Sequence, residues 1–392
     1  MKPLSVGTWL ILSSLGLTVT PCAGALESPP APKVNILRVP QGGIEPQTVV
    51  GPRGTLHMIY FTGPADAGDI EYVQRVPGAK AFSTPVRVNR QPGSAVAVGT
   101  VRGPQMALGK NGRVYVVWFG SAAAQPRGPG GATPILFARS NRQGTAFGPA
   151  RCPMQYTTGA DGGLSVAADA RGNVYVFWHA TGIRPGEAYR RVYLARSTNN
   201  GRTFAREVHI SPAGLGACGC CGMRALVDHQ GNLYVLYRAA AQGVHRDMTL
   251  LVSRDFGRSF RALRVAPWRL DACPMTTADL GEGRRSVLAA WETAGEVYFG
   301  RVNPASFRLF PAIPAPGQAD DRKYPAIAEN FRGQVLMAWT EGAGWMQGGS
   351  LAWQLFARQG RPLGCEGHIA GVPAWDAPRV FATGKGNFTI VY

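Results

Sequence analysis

A glycine-containing turn followed by a short apolar strand with an aromatic residue at its end recurs seven times along this 392-residue chain. The copies read RGTLHMIYF, NGRVYVVWF, RGNVYVFWH, QGNLYVLYR, GRRSVLAAWE, RGQVLMAWT and KGNFTIVY. Their spacing of about 50 to 60 residues, with no long stretch of helical periodicity, is typical of the blades of a β-propeller. The sequence therefore predicts an all-β propeller with four-stranded antiparallel blades and seven blades in the ring.

The ends of the chain bear on how this ring closes. The last copy, KGNFTIVY, ends at Tyr392 after enough residues for only two strands. The segment VNILRV, residues 34–39, resembles the segments TPVRVN and AREVHI that end other copies. We expect this N-terminal strand to complete the last blade and leave no free sheet edge. Six blades with a C-terminal extension are the alternative.

The first 25 residues have the character of a secretory signal peptide. Lys2 precedes an apolar stretch and the small-residue site AGA, which predicts cleavage after Ala25. The apolar stretch is too short and too interrupted to predict a membrane span, and TVTPC is a poor lipidation site, so an anchor at Cys22 is not favoured. We expect an exported, periplasmic or secreted protein, with residues 26–392 forming a single propeller domain.

A second recurring segment enters a polar turn and returns with an aromatic residue. It reads LFARSNRQGTAF, YLARSTNNGRTF and LLVSRDFGRSF. SRDFGRSF, residues 253–260, resembles the Asp-box (or BNR repeat) of the sialidase-like propellers, Ser-x-Asp-x-Gly-x-Thr/Ser-aromatic. STNNGRTF, residues 197–204, differs from it by Asn199 in place of Asp, and SNRQGTAF is degenerate. In that family the Asp-box is a structural turn, so the resemblance implies a fold rather than a chemistry.

The same resemblance suggests candidate catalytic residues. A sialidase holds the substrate carboxylate with three arginines and uses a tyrosine nucleophile, an activating glutamate and an aspartate acid/base. By position, Arg38 and Arg238 resemble two of the arginines, Asp66 the acid/base and Tyr324 the nucleophile. The segment CGCCGMRALVD stands where the family has its glutamate, and Glu292 near the place of the third arginine. Glu292, from an adjacent repeat, is the candidate replacement for activating Tyr324.

Further polar residues follow the second strands of consecutive repeats. His179, Arg238 and Glu292 end these strands, and His245 and Arg246 lie in a loop after one of them. Because these strand ends share one face of a propeller, we expect His179, His245 and Arg246 to contribute to a ligand face around the channel.

Cysteines are concentrated on the loops that lead into the first strands of three consecutive repeats. Removal of the signal peptide leaves an even number, and five of the six lie in these loops: Cys152, Cys218, Cys220, Cys221 and Cys273. In an oxidising compartment this favours disulfides between neighbouring blades, with a vicinal Cys220–Cys221 bond also open. The alternative is a Cys/Met site for a soft ion such as Cu(I), using Met154, Met223 and Met275; otherwise no cofactor is expected.

The chain has a formal charge of +18, carried by scattered arginines. Export argues against nucleic acid as the partner, and a basic surface suits an anionic ligand. Three functions stay open at this stage: binding of a carbohydrate or protein on the cysteine-rich face, exo-acting glycoside hydrolysis of anionic sugars, and copper binding in the periplasm.

Overall fold

A computed structural model describes residues 32–318 and 321–392. These residues form twenty-seven strands and three single-turn 3₁₀ helices, joined by turns and loops. The 3₁₀ helices are Pro40–Gly42, Lys110–Gly112 and Pro129–Gly131. The predicted signal peptide, Cys22 and the first residues after the predicted cleavage site lie outside the described residues. Within these ranges, no helix is long and apolar enough to cross a membrane.

The strands form seven sheets, which confirms the seven-bladed propeller. Strand β1 is Val34–Leu37. Blade 1 contains β2 (Ile44–Val50), β3 (Leu56–Thr62), β4 (Asp69–Arg75) and β5 (Val86–Arg87), and blade 2 contains β6 (Gln105–Leu108), β7 (Val114–Phe119) and β8 (Ile135–Arg139). Blade 3 contains β9 (Leu164–Ala168), β10 (Val174–Ala180), β11 (Arg191–Ser197) and β12 (Val208–His209).

The remaining blades follow in chain order. Blade 4 contains β13 (Gly216–Ala217), β14 (Met223–Val227), β15 (Leu233–Ala240), β16 (Met248–Ser253) and β17 (Arg261–Ala266). Blade 5 contains β18 (Ala278–Glu282), β19 (Val287–Thr293), β20 (Glu296–Val302) and β21 (Ile313–Pro314). Blade 6 contains β22 (Arg322–Glu329), β23 (Val335–Glu341), β24 (Gly349–Phe356) and β25 (Pro362–Val372), and blade 7 begins with β26 (Arg379–Ala382) and β27 (Phe388–Val391).

The N-terminal strand β1 completes blade 7, as predicted. Val34 pairs with Phe388 and Leu37 with Val391. The pairing is parallel, and β1 lies directly beside β27 in a three-stranded sheet, in the place that the third strand takes elsewhere. The antiparallel pairing of the other blades is therefore not kept at the closure. Two further backbone hydrogen bonds extend this contact. Val39 N donates to Tyr392 O at 3.0 Å, and Tyr392 N donates to Leu37 O at 3.1 Å.

Apolar clusters lie between all seven pairs of adjacent blades. The second strands contribute to every cluster because their side chains pack against a neighbouring blade on both faces, which explains runs such as VYVVWF. Trp118, Trp178 and Trp291 are the largest of the buried side chains. Replacing any of them by alanine is expected to cost about 3–5 kcal/mol of unfolding free energy.

The antiparallel strands define two faces. On the turn face, short turns join the first strand to the second and the third to the fourth. On the loop face, longer loops follow the second strands, and lead-in loops connect each blade to the first strand of the next. The channel is lined by the first strands, so both kinds of loop-face segment surround its mouth.

Candidate functional site: the channel mouth on the loop face

Charged and amide side chains close the channel near the loop face. Arg224 Nη1 contacts the side-chain oxygens of Gln47, at 2.5 Å, and Gln105, and its Nε lies 3.1 Å from Asp279 Oδ1. Arg379 Nε donates to Gln47 Oε1 at 3.0 Å. Five different blades therefore meet through two arginines, and this polar layer forms the floor of the mouth.

Two carboxyl groups are buried beside this layer. Asp376 Oδ1 accepts hydrogen bonds from Glu45 N at 2.7 Å and from Ala377 N at 2.8 Å. Asp376 Oδ2 and both carboxyl oxygens of Glu45 have no hydrogen-bond partner among the described residues. Burial raises the pKa of Asp376 to about 7, and burial together with Asp376 raises the pKa of Glu45 well above its usual range. Burial at the mouth therefore opposes ionisation of both carboxyl groups.

Tyr324 lies at the base of a small cavity in the mouth. The cavity is lined by Gly99, Thr100, Met275, Lys323, Tyr324, Gly344, Trp345 and Trp375. Burial raises the pKa of Tyr324 to about 12, although a hydrogen bond with Thr100 opposes the shift. The cavity volume of about 10 Å³ is enough for a single water molecule. The rings of Trp345 and Trp375 form its rim, edge to face with centroids 6.4 Å apart.

Left-handed backbone conformations recur at the mouth in residues other than glycine. The lead-in segments of five blades contain such a residue: Glu45 (φ 52°), Thr100 (59°), Met275 (46°), Tyr324 (53°) and Trp375 (64°). Each costs about 1–2 kcal/mol relative to the right-handed region, and strain of this kind clusters at functional sites. The repetition identifies the mouth as the most strained part of the loop face.

Arg238 and Glu292 are paired with each other inside the protein. Arg238 Nη2 lies 3.6 Å from Glu292 Oε2, and Nη1 donates to Arg246 O at 3.0 Å. The guanidinium also lies 4.9 Å from the ring centroid of Trp268. Burial raises the pKa of Glu292, although Gly295 N and Arg238 oppose the shift. The positive charge of Arg238 is thus already opposed by a carboxylate rather than presented to a ligand.

Arg38 and Asp66 lie away from the cavity of Tyr324. Arg38 Nη1 donates to Gly371 O at 2.8 Å, and its guanidinium lies 4.0 Å from the ring centroid of Tyr392. Asp66 is exposed in the loop between β3 and β4. Neither Arg38, Asp66 nor Arg238 lines the cavity around Tyr324. The catalytic assignment of these residues stays a prediction.

The predicted ligand-face residues make mainly internal contacts. His179 lies within β10, where its Nε2 accepts a hydrogen bond from Gly163 N at 2.8 Å, and burial lowers its pKa to about 4. Arg246 Nη2 contacts Glu187 Oε2 at 2.7 Å. His245 is half-buried and pairs through its backbone with Ala241. A neutral, buried His179 fixes the lead-in loop of blade 3 rather than facing solvent.

Four of the cysteines converge. The Sγ atoms of Cys218, Cys220 and Cys221 lie within 4.8 Å of one another, with Cys218 and Cys220 at 3.3 Å. Cys273 Sγ lies within 4.8 Å of Cys220 Sγ and of a carboxylate oxygen of Glu187. All six cysteines of the described residues are free thiols in the structure. The contact of Cys220 with Cys273 joins blades 4 and 5, the neighbours between which we predict a disulfide.

Cys152 and the three methionines are not part of this group. Cys152 packs against the apolar clusters on both sides of blade 2, and its Sγ lies 3.8 Å from Met154 O. Met154 and Met223 are buried in separate clusters. Met275 lines the cavity of Tyr324. The structure therefore does not gather the three methionines around the thiols.

Sequence reasoning missed the residues that form the mouth. Glu45, Asp376, Arg379 and the ion pair of Arg102 with Asp161, 2.6 Å apart, lie in segments distant in the chain. Their only sequence signal is that each precedes or begins the first strand of a blade. An alignment of the seven repeats at the start of the first strand, like the alignment at the ends of the second strands, selects these residues.

Solved structures resemble this chain in fold. No protein-family model matches it, and no curated protein sequence is similar to it. A Dyadobacter fermentans protein of unknown function has a TM-score of 0.53 at 16% identity, with 87% of this chain and 98% of that chain covered. The Hadza microbial sialidase Hz136 has 0.52 at 13% identity, with 81% and 69% covered. Trypanosoma rangeli sialidase, solved with the inhibitor DANA, has 0.50 at 11% identity, with 77% and 53% covered. The chain thus has a sialidase-like β-propeller fold.

Proposed function

We propose that this chain is an exported protein that binds a carbohydrate at the channel mouth on its loop face. The observation that carries the proposal is the rim of Trp345 and Trp375, with Trp345 48% exposed and Met346 beside it 66% exposed. Sugar rings have apolar faces that pack on indole rings, and their hydroxyl groups need polar partners nearby. Thr100 and Lys323 provide such groups next to Trp345.

An anionic sugar suits this rim best. Lys323 lines the cavity and supplies positive charge there, although Asp321 lies 3.7 Å from its ammonium and opposes part of that charge. The chain as a whole is strongly basic, which attracts anions from a distance. Two of the similar structures are sialidases, and one of them was solved with an inhibitor bound. These observations support a carboxylated glycan as the ligand.

Retention without hydrolysis is the activity that the geometry supports. The cavity at Tyr324 has room for about one water molecule and not for a sugar ring, so the ligand would rest on the rim. Glycoside hydrolysis needs an acid and a nucleophile on either side of the scissile bond. Asp66 does not line the cavity, and Arg238 is paired with Glu292.

The test is a glycan array of neutral, sialylated and sulfated sugars, followed by titration of the best ligand. We expect saturable binding that falls roughly 10- to 100-fold in Trp345→Ala, since an exposed tryptophan at the centre of a contact contributes about 2 kcal/mol or more. Phe331→Ala is the matched control, because Phe331 is 51% exposed and lies on the turn face.

Two results would overturn the proposal. One is the release of sialic acid from a model glycoside by the purified protein, which would establish the hydrolase instead. The other is equal glycan binding by Trp345→Ala and the unchanged protein.

A further inference from the structure

We propose that the thiol cluster, Cys218, Cys220 and Cys221, binds one Cu(I) ion, with Cys273 at its edge. The cluster lies in the lead-in loop of blade 4, outside the rim of Trp345 and Trp375. The proposal does not depend on carbohydrate binding at that rim. It rests on the arrangement of sulfur atoms and on the positive charge around them.

The backbone turns the three sulfurs towards one another. Cys218 N donates to Arg238 O at 3.0 Å, which continues the pairing of β13 with β15. Cys221 N then donates back to Cys218 O at 3.4 Å, so the segment CGCC forms a tight turn. Gly222 N donates to Thr276 O at 2.9 Å and joins this turn to the loop that carries Cys273. The first residue of the turn is thus bonded to blade 4, and the residue after it is bonded to the lead-in loop of blade 5.

The number of close sulfur atoms indicates which metal ion the cluster binds. Thiolates favour soft ions, of which Cu(I) and Zn(II) are the main candidates. Structural zinc almost always takes four ligands in a tetrahedron, with Zn–S bonds of about 2.3 Å. Among the described residues, only three Sγ atoms are mutually within 4.8 Å, and Cys273 approaches Cys220 without joining all three. Three close thiolates match the lower coordination number that Cu(I) accepts.

Three arginines surround the cluster. Arg238 lies near the Cys221 thiol, where its positive charge acts on the sulfur. Arg190 Nε lies 3.2 Å from the place of a Cβ at Gly219, in the middle of the turn. Arg246 contacts Glu187, which also accepts from Gly219 N at 2.8 Å.

Two of these arginines are paired with carboxylates, Arg238 with Glu292 and Arg246 with Glu187, but each of the three keeps an N–H group without a partner in the part of the chain that the structure describes. The Nε atoms of Arg190, Arg238 and Arg246 are buried and have no hydrogen-bond partner among the described residues. Three thiolates around Cu(I) would carry a net charge of −2, which nearby guanidinium groups stabilise. Each thiol that binds the ion loses its proton to solvent, and no electron is transferred.

A disulfide explains less of the geometry. A Cys220–Cys273 bond would join blades 4 and 5 but would not use the close approach of Cys218, Cys220 and Cys221 to one another. One ion bound by Cys218, Cys220 and Cys221 uses all three sulfurs of the turn. The fourth, on exposed Cys273, lies where it can receive or deliver the ion.

The experiment is an anaerobic titration of the reduced protein with Cu(I), in competition with the chromophoric chelator bicinchoninate. We expect one Cu(I) per chain and three Cu–S contacts by X-ray absorption. Cys218→Ser and Cys221→Ser should each weaken binding by at least about 100-fold, the upper range for loss of an outer-shell partner. Cys365→Ser is the matched control, since Cys365 lies on β25 of blade 6. Thermal unfolding shows whether each variant is folded.

Three outcomes would overturn the proposal. The first is equal Cu(I) affinity in Cys221→Ser and Cys365→Ser. The second is a site in the unchanged protein that prefers Zn(II) with four sulfur ligands. The third is alkylation mass spectrometry that finds Cys218, Cys220 and Cys221 in disulfides in the exported protein. X-ray absorption of the unchanged protein decides the question even if the serine variants fail to fold.

Discussion

Asp255 on the turn face and Asp376 on the loop face have opposite environments. Asp255 accepts from Arg258 N at 3.1 Å and from Ser259 N at 2.9 Å, and the Ser259 and Ser253 hydroxyls also donate to it. Desolvation raises the pKa of Asp255 and is the largest single effect, but these hydrogen bonds together outweigh it and lower the pKa to about 2. Asp376 is buried with one oxygen unpartnered, and its pKa is raised to about 7.

This contrast extends to the two faces. On the turn face, Asp169, Asp228 and Asn330 each accept two backbone hydrogen bonds in the same pattern. Such turns repeat because they stabilise blades 3, 4 and 6 in the same way. On the loop face, unpartnered polar atoms and left-handed residues concentrate, which costs stability. A protein keeps such a region where it serves binding rather than folding.

The largest expected effect comes from Asp376→Asn. The raised pKa means that the folded state holds a proton that the unfolded chain releases, so stability is full below about pH 4 and is lost as pH rises through about 7. The amide keeps the Oδ1 acceptor for Glu45 N and removes the buried charge. We expect Asp376→Asn to raise the unfolding free energy at pH 8 by about 2–4 kcal/mol and to leave it nearly unchanged at pH 4. Urea unfolding at both pH values measures this, and destabilisation at pH 8 would contradict it.

Replacement of Asp255 should change the unfolding free energy less, and should lower it rather than raise it. Its lowered pKa stabilises the fold above about pH 4, and this stability is lost as pH falls through about 2. Asp255→Ala should cost about 1 kcal/mol at pH 7, as for the loss of other side-chain caps. Asp255→Asn is the matched variant, because Asn199 Oδ1 accepts from Arg202 N and Thr203 N in the equivalent turn of blade 3. Equal stability of Asp255→Ala and the unchanged protein at pH 7 would refute this account of the turn.

Backbone strain differs between the two faces, and substitutions that change it should have the smallest effects on stability. Gly257 in the Asp255 turn has φ 77°, and a Cβ there would lie 3.1 Å from Leu194 Cδ2, so Gly257→Ala should destabilise by about 1 kcal/mol. Met346 on the loop face has φ 56° and an exposed side chain. Met346→Gly should stabilise by about 0.5 kcal/mol, since relief of strain exceeds the added chain entropy. Thermal unfolding that gave both changes the same sign would contradict the comparison.

The fold could be predicted because its determinants are local. Each glycine turn and aromatic strand, such as NGRVYVVWF, specifies one hairpin, and seven copies specify the ring. The closure depends on a long-range choice, the pairing of Val34 with Phe388, so the sequence indicated that β1 joins blade 7 but not that it runs parallel.

The site was harder because its residues come from many blades. Cys220 and Cys273 were expected to approach because they occupy equivalent loops of consecutive repeats, and they do. Cys152 occupies the same kind of loop but packs into apolar clusters. Arg238 and Glu292 end the second strands of consecutive repeats, so the repeat spacing places them on one face, but it does not reveal that they pair with each other inside the protein.

Hydrogen–deuterium exchange of the protein with and without its best array glycan tests the central claim most directly, that the ligand binds on the loop face. The rival position is the arginine-lined cavity of about 540 Å³ on the turn face, between blades 5 and 6. Our account predicts that the glycan slows exchange in residues 94–104, 342–348 and 373–378, and leaves residues 283–286, 331–333 and 358–359 unchanged. Slower exchange confined to the second group would contradict it.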